Sequence, residues 1–152
     1  MTLSTILCPL DFSAASAGLV AYAAALAVAS GAQLRLLHVC EPQESPAGRL
    51  PGEGASAKPL PCAERLNGLR VVAEQAGVAQ VHTGIVQGDA ASEIVAEASR
   101  QHADLIVIGA HGCTGITRFL MGTTAEIVLR TAQCATLLVR EPLQAETTEN
   151  QR

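Results

Sequence analysis

The chain has 152 residues, of which 49% are hydrophobic but only 2% aromatic, and it carries a formal net charge of −4. This length predicts one domain with a core of Ala, Val, Leu and Ile side chains. The arginines are scattered and Lys58 is the single lysine, which excludes the basic stripe of a nucleic-acid-binding surface, and no apolar run reaches the roughly 18 residues that membrane insertion needs.

Five short apolar runs predict β-strands. In chain order they are TILCPL (5–10), LRLLHVC (34–40), VHTGIV (81–86), DLIVIGA (104–110) and ATLLVRE (135–141). Three of them are nearly continuous apolar stretches, which is typical of strands buried on both faces of a parallel sheet.

Four segments with helical periodicity separate these runs. Ser13 is the predicted cap of the first helix and Gly31 its end, while Asp89 is the predicted N-cap of the third. The predicted apolar faces are Ala15, Leu19, Tyr22, Leu26 and Ala29; Leu66, Leu69, Ala73 and Ala76; Ala91, Ile94 or Val95, and Ala98; and Ala125, Val128 and Ala132. The alternation of strands and helices predicts βαβ units with helices on both faces of the sheet.

Two segments depart from this alternation. Residues 41–61 are rich in Pro, Gly, Ser and Ala, which predicts a long mobile loop. That loop is either a surface insertion or a lid or partner-docking element. Residues 142–152 are predicted to be a flexible tail, which leaves 1–141 as the single domain.

The segment IGAHGCTGITRFLMGTTAEIV, residues 108–128, places four glycines between a strand and a helix. Glycine lets a backbone turn tightly or approach a ligand closely, and amides at a helix start bind phosphate. The residues suited to a phosphate are Gly109, Gly112, Arg118, Gly122, Thr123 and Thr124. The alternative is that the glycines only shape the backbone and Thr123 only caps the helix. The sequence contains no GxxxxGK[ST], which excludes a P-loop.

The spacing Gly109-x2-Gly112-x9-Gly122-Thr123 resembles the G-2x-G-9x-G-[S/T] signature of the ATP-binding branch of the universal stress protein family. The stretches ILCPLDFSAAS, GDAASEIVAEASRQHADLIVIGAHG and GTTAEIVLRTAQCATLLVRE also resemble parts of that family. Together they cover nearly the whole chain apart from residues 41–61 and the tail.

This resemblance implies a single-domain α/β fold with an open five-stranded parallel sheet in the order 3-2-1-4-5, which is Rossmann-like. It implies ATP as the ligand, with Mg²⁺ arriving on the nucleotide. Asp11 would contact the ribose or adenine end, and the backbone around Pro9, Val39 and Ile108 would line an apolar pocket for the base. By its position, His111 lies inside the glycine segment, where it could reach a phosphate or a water. The implied site residues are Pro9, Asp11, Val39, Ile108, Gly109, His111, Gly112, Arg118, Gly122, Thr123 and Thr124.

The last strand, from Ala135 to Glu141, would lie at the sheet edge in this order. A long apolar edge without proline favours pairing with another chain, and the resemblance also implies a homodimer through that strand. The start of the chain lacks a basic region and a long apolar run, and its five cysteines lack CxxC spacing. We therefore expect a reduced, cytoplasmic protein.

The leading interpretation is an ATP-binding regulatory protein of the stress response, which acts as a dimer on an unidentified protein partner. One alternative is a slow ATPase or autophosphorylating enzyme that uses His111 or Asp11. Another is an interaction module that binds no nucleotide. Cys113 lies near the predicted helix start. It is either an inert loop thiol or, if the helix start lowers the pKa of the thiol, a redox-sensitive one.

Overall fold

A computed structural model of the chain describes residues 2–42, 61–110 and 123–140. The strands are β1 (Thr5–Pro9), β2 (Gln33–Cys40), β3 (Val81–Gln87), β4 (Leu105–Gly109) and β5 (Ala135–Val139). The helices are α1 (Ser16–Ser30), α2 (Cys62–Gln75), α3 (Ala90–Arg100) and α4 (Thr123–Thr131). Most of the predicted loop at 41–61 and the whole predicted tail lie outside the described residues.

The five strands form one parallel sheet in the order β3-β2-β1-β4-β5, which confirms the predicted fold class. β1 is the central strand and is buried along its whole length. β3 lies at an edge of the sheet. Several of its residues are exposed and alternate with buried or partly buried ones, so the strand is more exposed than its apolar sequence suggested.

Two apolar clusters cover the two faces of the sheet. One cluster packs α1 and α2 against side chains such as Ile6, Cys8 and Leu36. The other packs α3 and α4 against Leu7 and Leu37. Because successive side chains of a strand point to opposite faces, odd and even positions of β1 feed different clusters.

Two of the three predicted helix ends, at Gly31 and Asp89, are found in the structure. Gly31 ends α1 with a φ of 79°, a left-handed conformation that favours glycine. The carboxylate of Asp89 accepts a hydrogen bond from the Ser92 amide and caps α3, as predicted. Ser13 does not cap α1, because the helix begins later, at Ser16, and has no side-chain cap.

The predicted faces of α3 and α4 are confirmed, but that of α1 is partly wrong. Ala91, Ile94, Ala98, Ala125 and Val128 are buried. In α1 the buried residues are Ser16, Leu19, Val20, Ala23, Ala24 and Ala27, whereas Tyr22 is 49% exposed. Nearly every position of α1 is apolar or small, so its periodicity does not single out one face. Within the described residues, no helix is long and apolar enough to cross a membrane.

Candidate functional site

The candidate site lies at the carboxyl edge of the sheet, between the ends of β1 and β4, and this position is called the crevice below. Pairing between these strands ends at Leu7 and Ile106, although both strands continue. Beyond that point β1 stays bonded to β2, since the Leu10 amide donates to the Leu37 carbonyl at 2.7 Å. β4 likewise stays bonded to β5, since the Ala110 amide donates to the Val139 carbonyl at 2.9 Å. The strand order reverses between β1 and β4, which is where open α/β sheets bind ligands.

Backbone groups of two predicted site residues point into this crevice. Successive residues of a strand direct their N–H and C=O groups to alternate neighbours. Because Leu10 bonds to β2, the backbone of Pro9 is directed towards β4; because Ala110 bonds to β5, that of Gly109 is directed towards β1. Proline has no N–H group, so Pro9 cannot donate to β4, and the hydrogen-bonded pairing of the two strands ends before it.

The three residues predicted to contact a base share one face of the sheet. Val39 and Ile108 belong to the cluster under α3 and α4, and they are 7% and 5% exposed. Pro9 is buried. It lies two residues after Leu7 on β1, so it points to the same face as Leu7, which belongs to the same cluster. α4 packs on this face, with Thr123 and Thr124 as its first two residues. The structure thus brings the predicted apolar wall and the predicted helix start to the same side of β1 and β4.

Asp11 lies just beyond β1, at the rim of the crevice. Its Oδ1 accepts a hydrogen bond from the Ser13 amide at 2.9 Å, which fixes the side chain in a local turn. The intervening residue, Phe12, has a φ of 61°. A bulky side chain is uncommon in this left-handed region, so the turn that carries Asp11 is strained.

Phe12 is held by two residues that sequence reasoning did not connect with the site. Its ring stacks on the buried His38, with centroids 4.3 Å apart and planes 26° apart. The Arg65 guanidinium carbon, from the first turns of α2, lies 4.4 Å from the ring centroid. Arg65 Nη2 also donates to the Phe12 carbonyl at 3.2 Å. The signal in the sequence that could have pointed to this contact was an aromatic residue beside Asp11, in a chain with only two phenylalanines.

His38 is a buried histidine of the core with a hydrogen-bonding partner. It lies 3% exposed on β2, and its Nδ1 is 2.8 Å from the Leu10 carbonyl oxygen. His82 and His102 are exposed. His38 therefore contributes a fixed surface for Phe12.

At their amino ends, β1 and β4 are joined by the carboxylate of Asp104. Asp104 Oδ2 accepts hydrogen bonds from the Ser4 amide at 2.8 Å and the Thr5 amide at 3.0 Å. These two donors hold the pKa of Asp104 below its ordinary value. The two strands are thus fastened to each other at their amino ends.

Burial raises the pKa of the Cys8 thiol to about 12. A thiol of this kind is an inert part of the core, because the thiolate is the reactive form. Desolvation also raises the pKa of Cys134. Among the residues that the structure describes, no group of three or more His, Cys, Asp and Glu is placed to hold a metal ion.

The remaining predicted site residues are His111, Gly112, Arg118 and Gly122. They lie outside the described residues, as does Cys113. The described part of the site therefore consists of Pro9, Asp11, Val39, Ile108, Gly109, Thr123 and Thr124. The chemistry of this set suits an adenine nucleotide, since it combines an apolar wall, a carboxylate acceptor and a helix N-terminus.

Comparison with known proteins places the chain in a family. The sequence model of the Universal stress protein family matches residues 2–140. A universal stress protein of Methanocaldococcus jannaschii is 43% identical over 79 residues, which are 52% of this chain and 46% of that protein. The match thus spans about half the length of the curated relatives.

Two solved structures have the same fold. A universal stress protein in complex with cAMP has a TM-score of 0.72 and 24% identity, and the match covers 93% of this chain and 100% of that one. The Archaeoglobus fulgidus universal stress protein in complex with dAMP has a TM-score of 0.65 and 22% identity, with 91% and 98% covered. With the family match over nearly its whole length, the chain belongs to the universal stress protein family.

Proposed function

We propose that the chain binds ATP in the crevice between β1 and β4 and acts as a regulatory protein of the stress response. The observation that carries this proposal is the reversal of the strand order between β1 and β4, at the edge where parallel sheets bind ligands. Two relatives with this fold were solved with cAMP and dAMP, both of which contain adenine. They support an adenine nucleotide as the ligand class.

In this proposal the described residues make two of the three contacts that a nucleotide needs, and part of the third. In this proposal the base packs against the apolar wall formed by Pro9, Val39 and Ile108. The Asp11 carboxylate accepts hydrogen bonds from sugar hydroxyls, because an ionised carboxylate is an acceptor only.

The third contact is to the phosphates, at the start of α4. The N-terminus of a helix carries unpaired amides and a partial positive charge. The proposed phosphate contacts are Gly109, His111, Gly112, Arg118, Gly122, Thr123 and Thr124. Mg²⁺ would enter with the triphosphate, which supplies oxygen ligands.

The proposed activity is binding and regulation in the cytoplasm, not a dedicated reaction. ATP can change the conformation of the protein, and so its contacts with a protein partner, only if it binds one conformation more tightly. The regulated partner is therefore expected to bind the ATP-loaded and nucleotide-free protein with different affinities.

Isothermal titration of nucleotide-stripped protein with Mg-ATP tests the proposal. We expect saturable binding of about one ATP per chain, and its loss in Gly112→Val and Gly122→Val. Gly68→Val is the matched control, since a Cβ at Gly68 on α2 meets no atom within 4 Å. Absence of binding by the wild-type protein, tested also by equilibrium dialysis, would contradict the proposal.

A second variant separates the phosphate contacts from the base contacts. Thr123→Val removes a hydroxyl and keeps the shape of the side chain. We expect it to weaken ATP binding more than AMP binding, because Thr123 begins α4, where the outer phosphates are proposed to lie. An equal loss for both nucleotides would move the phosphate site away from α4.

We further propose a homodimer joined through the last strand, from Ala135 to Glu141. β5 pairs with β4 on one side, and its other side is an edge of the sheet. The Val139 carbonyl accepts a hydrogen bond from the Ala110 amide, so the backbone of Val139 faces β4. Because successive residues of a strand direct their backbone groups to opposite sides, the Thr136 and Leu138 amides are directed away from β4. They are positioned to pair with the same strand of a second copy.

The helix that precedes β5, α4, also exposes two large apolar side chains. Ile127 and Leu129 are 41% and 38% exposed. Sedimentation should give the mass of two chains, and Thr136→Pro should shift it to one chain, because it removes an outward amide. A monomeric wild-type protein would refute the proposed dimer.

A further inference from the structure

Phe12 adopts a conformation that its side chain disfavours. Its φ of 61° lies in the left-handed region, where a Cβ meets the neighbouring backbone. Such a conformation persists only when surrounding contacts hold it in place. The contacts that hold Phe12 therefore determine the shape of the turn between β1 and α1.

Two side chains from other parts of the chain provide these contacts. His38 forms a rigid base, because it is buried in β2 and its Nδ1 lies 2.8 Å from the Leu10 carbonyl oxygen. The Phe12 ring stacks on it with a centroid distance of 4.3 Å. Arg65 contacts both the ring and the carbonyl of Phe12, at 4.4 Å and 3.2 Å. Arg65 is thus the residue that engages both the backbone and the side chain of Phe12.

The conformation of Phe12 sets the geometry at Asp11. Asp11 Oδ1 is bonded to the Ser13 amide, and Phe12 is the one residue between them. A change in φ at Phe12 rotates the Ser13 amide relative to Asp11, and the carboxylate would follow its donor. α2 thereby reaches the rim of the crevice through Arg65 and Phe12, although Arg65 lies 53 residues away in sequence.

We propose that Arg65 is a positioning residue for sugar recognition, which holds the Phe12 turn so that the Asp11 carboxylate meets the ribose hydroxyls of the bound nucleotide. This role rests on the proposed function, because it requires a nucleotide in the crevice. Arg65 does not itself contact the nucleotide in this scheme. Its effect is on the preference for a ribose over a 2′-deoxyribose.

The test compares binding of ATP and 2′-deoxy-ATP by the whole chain. The wild-type protein should prefer ATP, and Asp11→Ala should abolish the preference. A hydrogen bond to a charged group makes this preference about 10-fold or more. Arg65→Ala should reduce ATP affinity by about 3-fold to 10-fold while changing 2′-deoxy-ATP affinity by less than about 2-fold.

Three further variants make the assignment specific. In an Asp11→Ala background, Arg65→Ala should have no added effect on the preference, since both substitutions act on one contact. Arg65→Lys should retain part of the preference, because an ammonium group can contact the ring and donate to the carbonyl. Arg70→Ala is the matched control: Arg70 lies on the same helix and pairs with Glu74 at 3.0 Å.

The outcomes distinguish the two proposals. Saturable ATP binding with an unchanged preference in Arg65→Ala overturns the role of Arg65 and leaves the proposed function intact. An equal loss for both nucleotides, or a wild type that binds both equally, also overturns this role. Absence of nucleotide binding by the wild-type protein overturns the proposed function and the role of Arg65 together.

Discussion

Val128 is the side chain through which α4 is anchored to the sheet, and its truncation should destabilise the protein strongly. α4 has nine residues, of which Ala125 and Val128 are buried, and Val128 is fully buried. Val128→Ala removes two methyl groups from the cluster that packs α3 and α4 on the sheet. α4 also begins with Thr123, so its anchoring bears on the proposed phosphate site.

The expected loss of stability follows from three terms. Transfer of the two carbons to water costs about 1.6 kcal/mol, at roughly 0.8 kcal/mol each. If roughly 40 Å³ of the vacated volume stays open, the cavity adds about 1 kcal/mol. The higher helix propensity of alanine offsets about 0.5 kcal/mol. The free energy of unfolding should therefore fall by about 2 kcal/mol, and Tm by roughly 4–8 °C.

Urea unfolding followed by far-UV circular dichroism measures this change, at one fixed chain concentration because association raises apparent stability. Val71→Ala is the matched control, since it makes the same substitution on α2 at a side chain that is 40% exposed. It should change the free energy of unfolding by less than about 0.5 kcal/mol. Equal losses in the two variants would refute the assignment of Val128 as the anchor.

Three other predictions concern carboxylates and a thiol. Ionised Asp104 favours the folded state, because its pKa is lowered from 3.8 on folding, and this contribution is lost as the pH falls through the folded value. Asp104→Asn should therefore lower the urea midpoint more at about pH 6 than at about pH 2.5, and an equal loss at both would contradict this. Asp89→Ala should lower the urea midpoint by removing the cap on the Ser92 amide, whereas Asp89→Asn should restore it; equal losses would rule out capping. In a variant that keeps only Cys8, a thiol reagent at neutral pH should react no faster than the chain unfolds, and rapid labelling of the folded protein would show that the thiol is accessible.

The strands and the buried faces of α3 and α4 could be predicted from the sequence because their signals are local. Runs of apolar residues mark strands buried on both faces, and the spacing in α3 and α4 marks one buried stripe. Gly31 and Asp89 end and begin helices by backbone conformation and a nearby hydrogen bond. The glycine spacing between β4 and α4 likewise predicts a phosphate contact from the sequence.

The face of α1 could not be predicted, because most of its residues are apolar or small. Tyr22 is exposed and Ser16 is buried, which reverses their usual preferences. Docking of the helix on the sheet decided the face, since small side chains let the backbone approach closely. Periodicity carries this information only when polar residues mark the opposite face.

The sequence by itself predicted the strands and helices in their order and approximate positions, and it pointed to Asp11 and the glycine segment as a possible site. Only the tertiary structure decided that Val39 and Ile108 lie in the cluster under α3 and α4, and that Arg65 contacts Phe12 beside Asp11. The physical reason is the range of the forces. Periodicity and capping depend on residues a few positions apart, whereas a crevice or a contact across 53 residues depends on how packed elements approach one another.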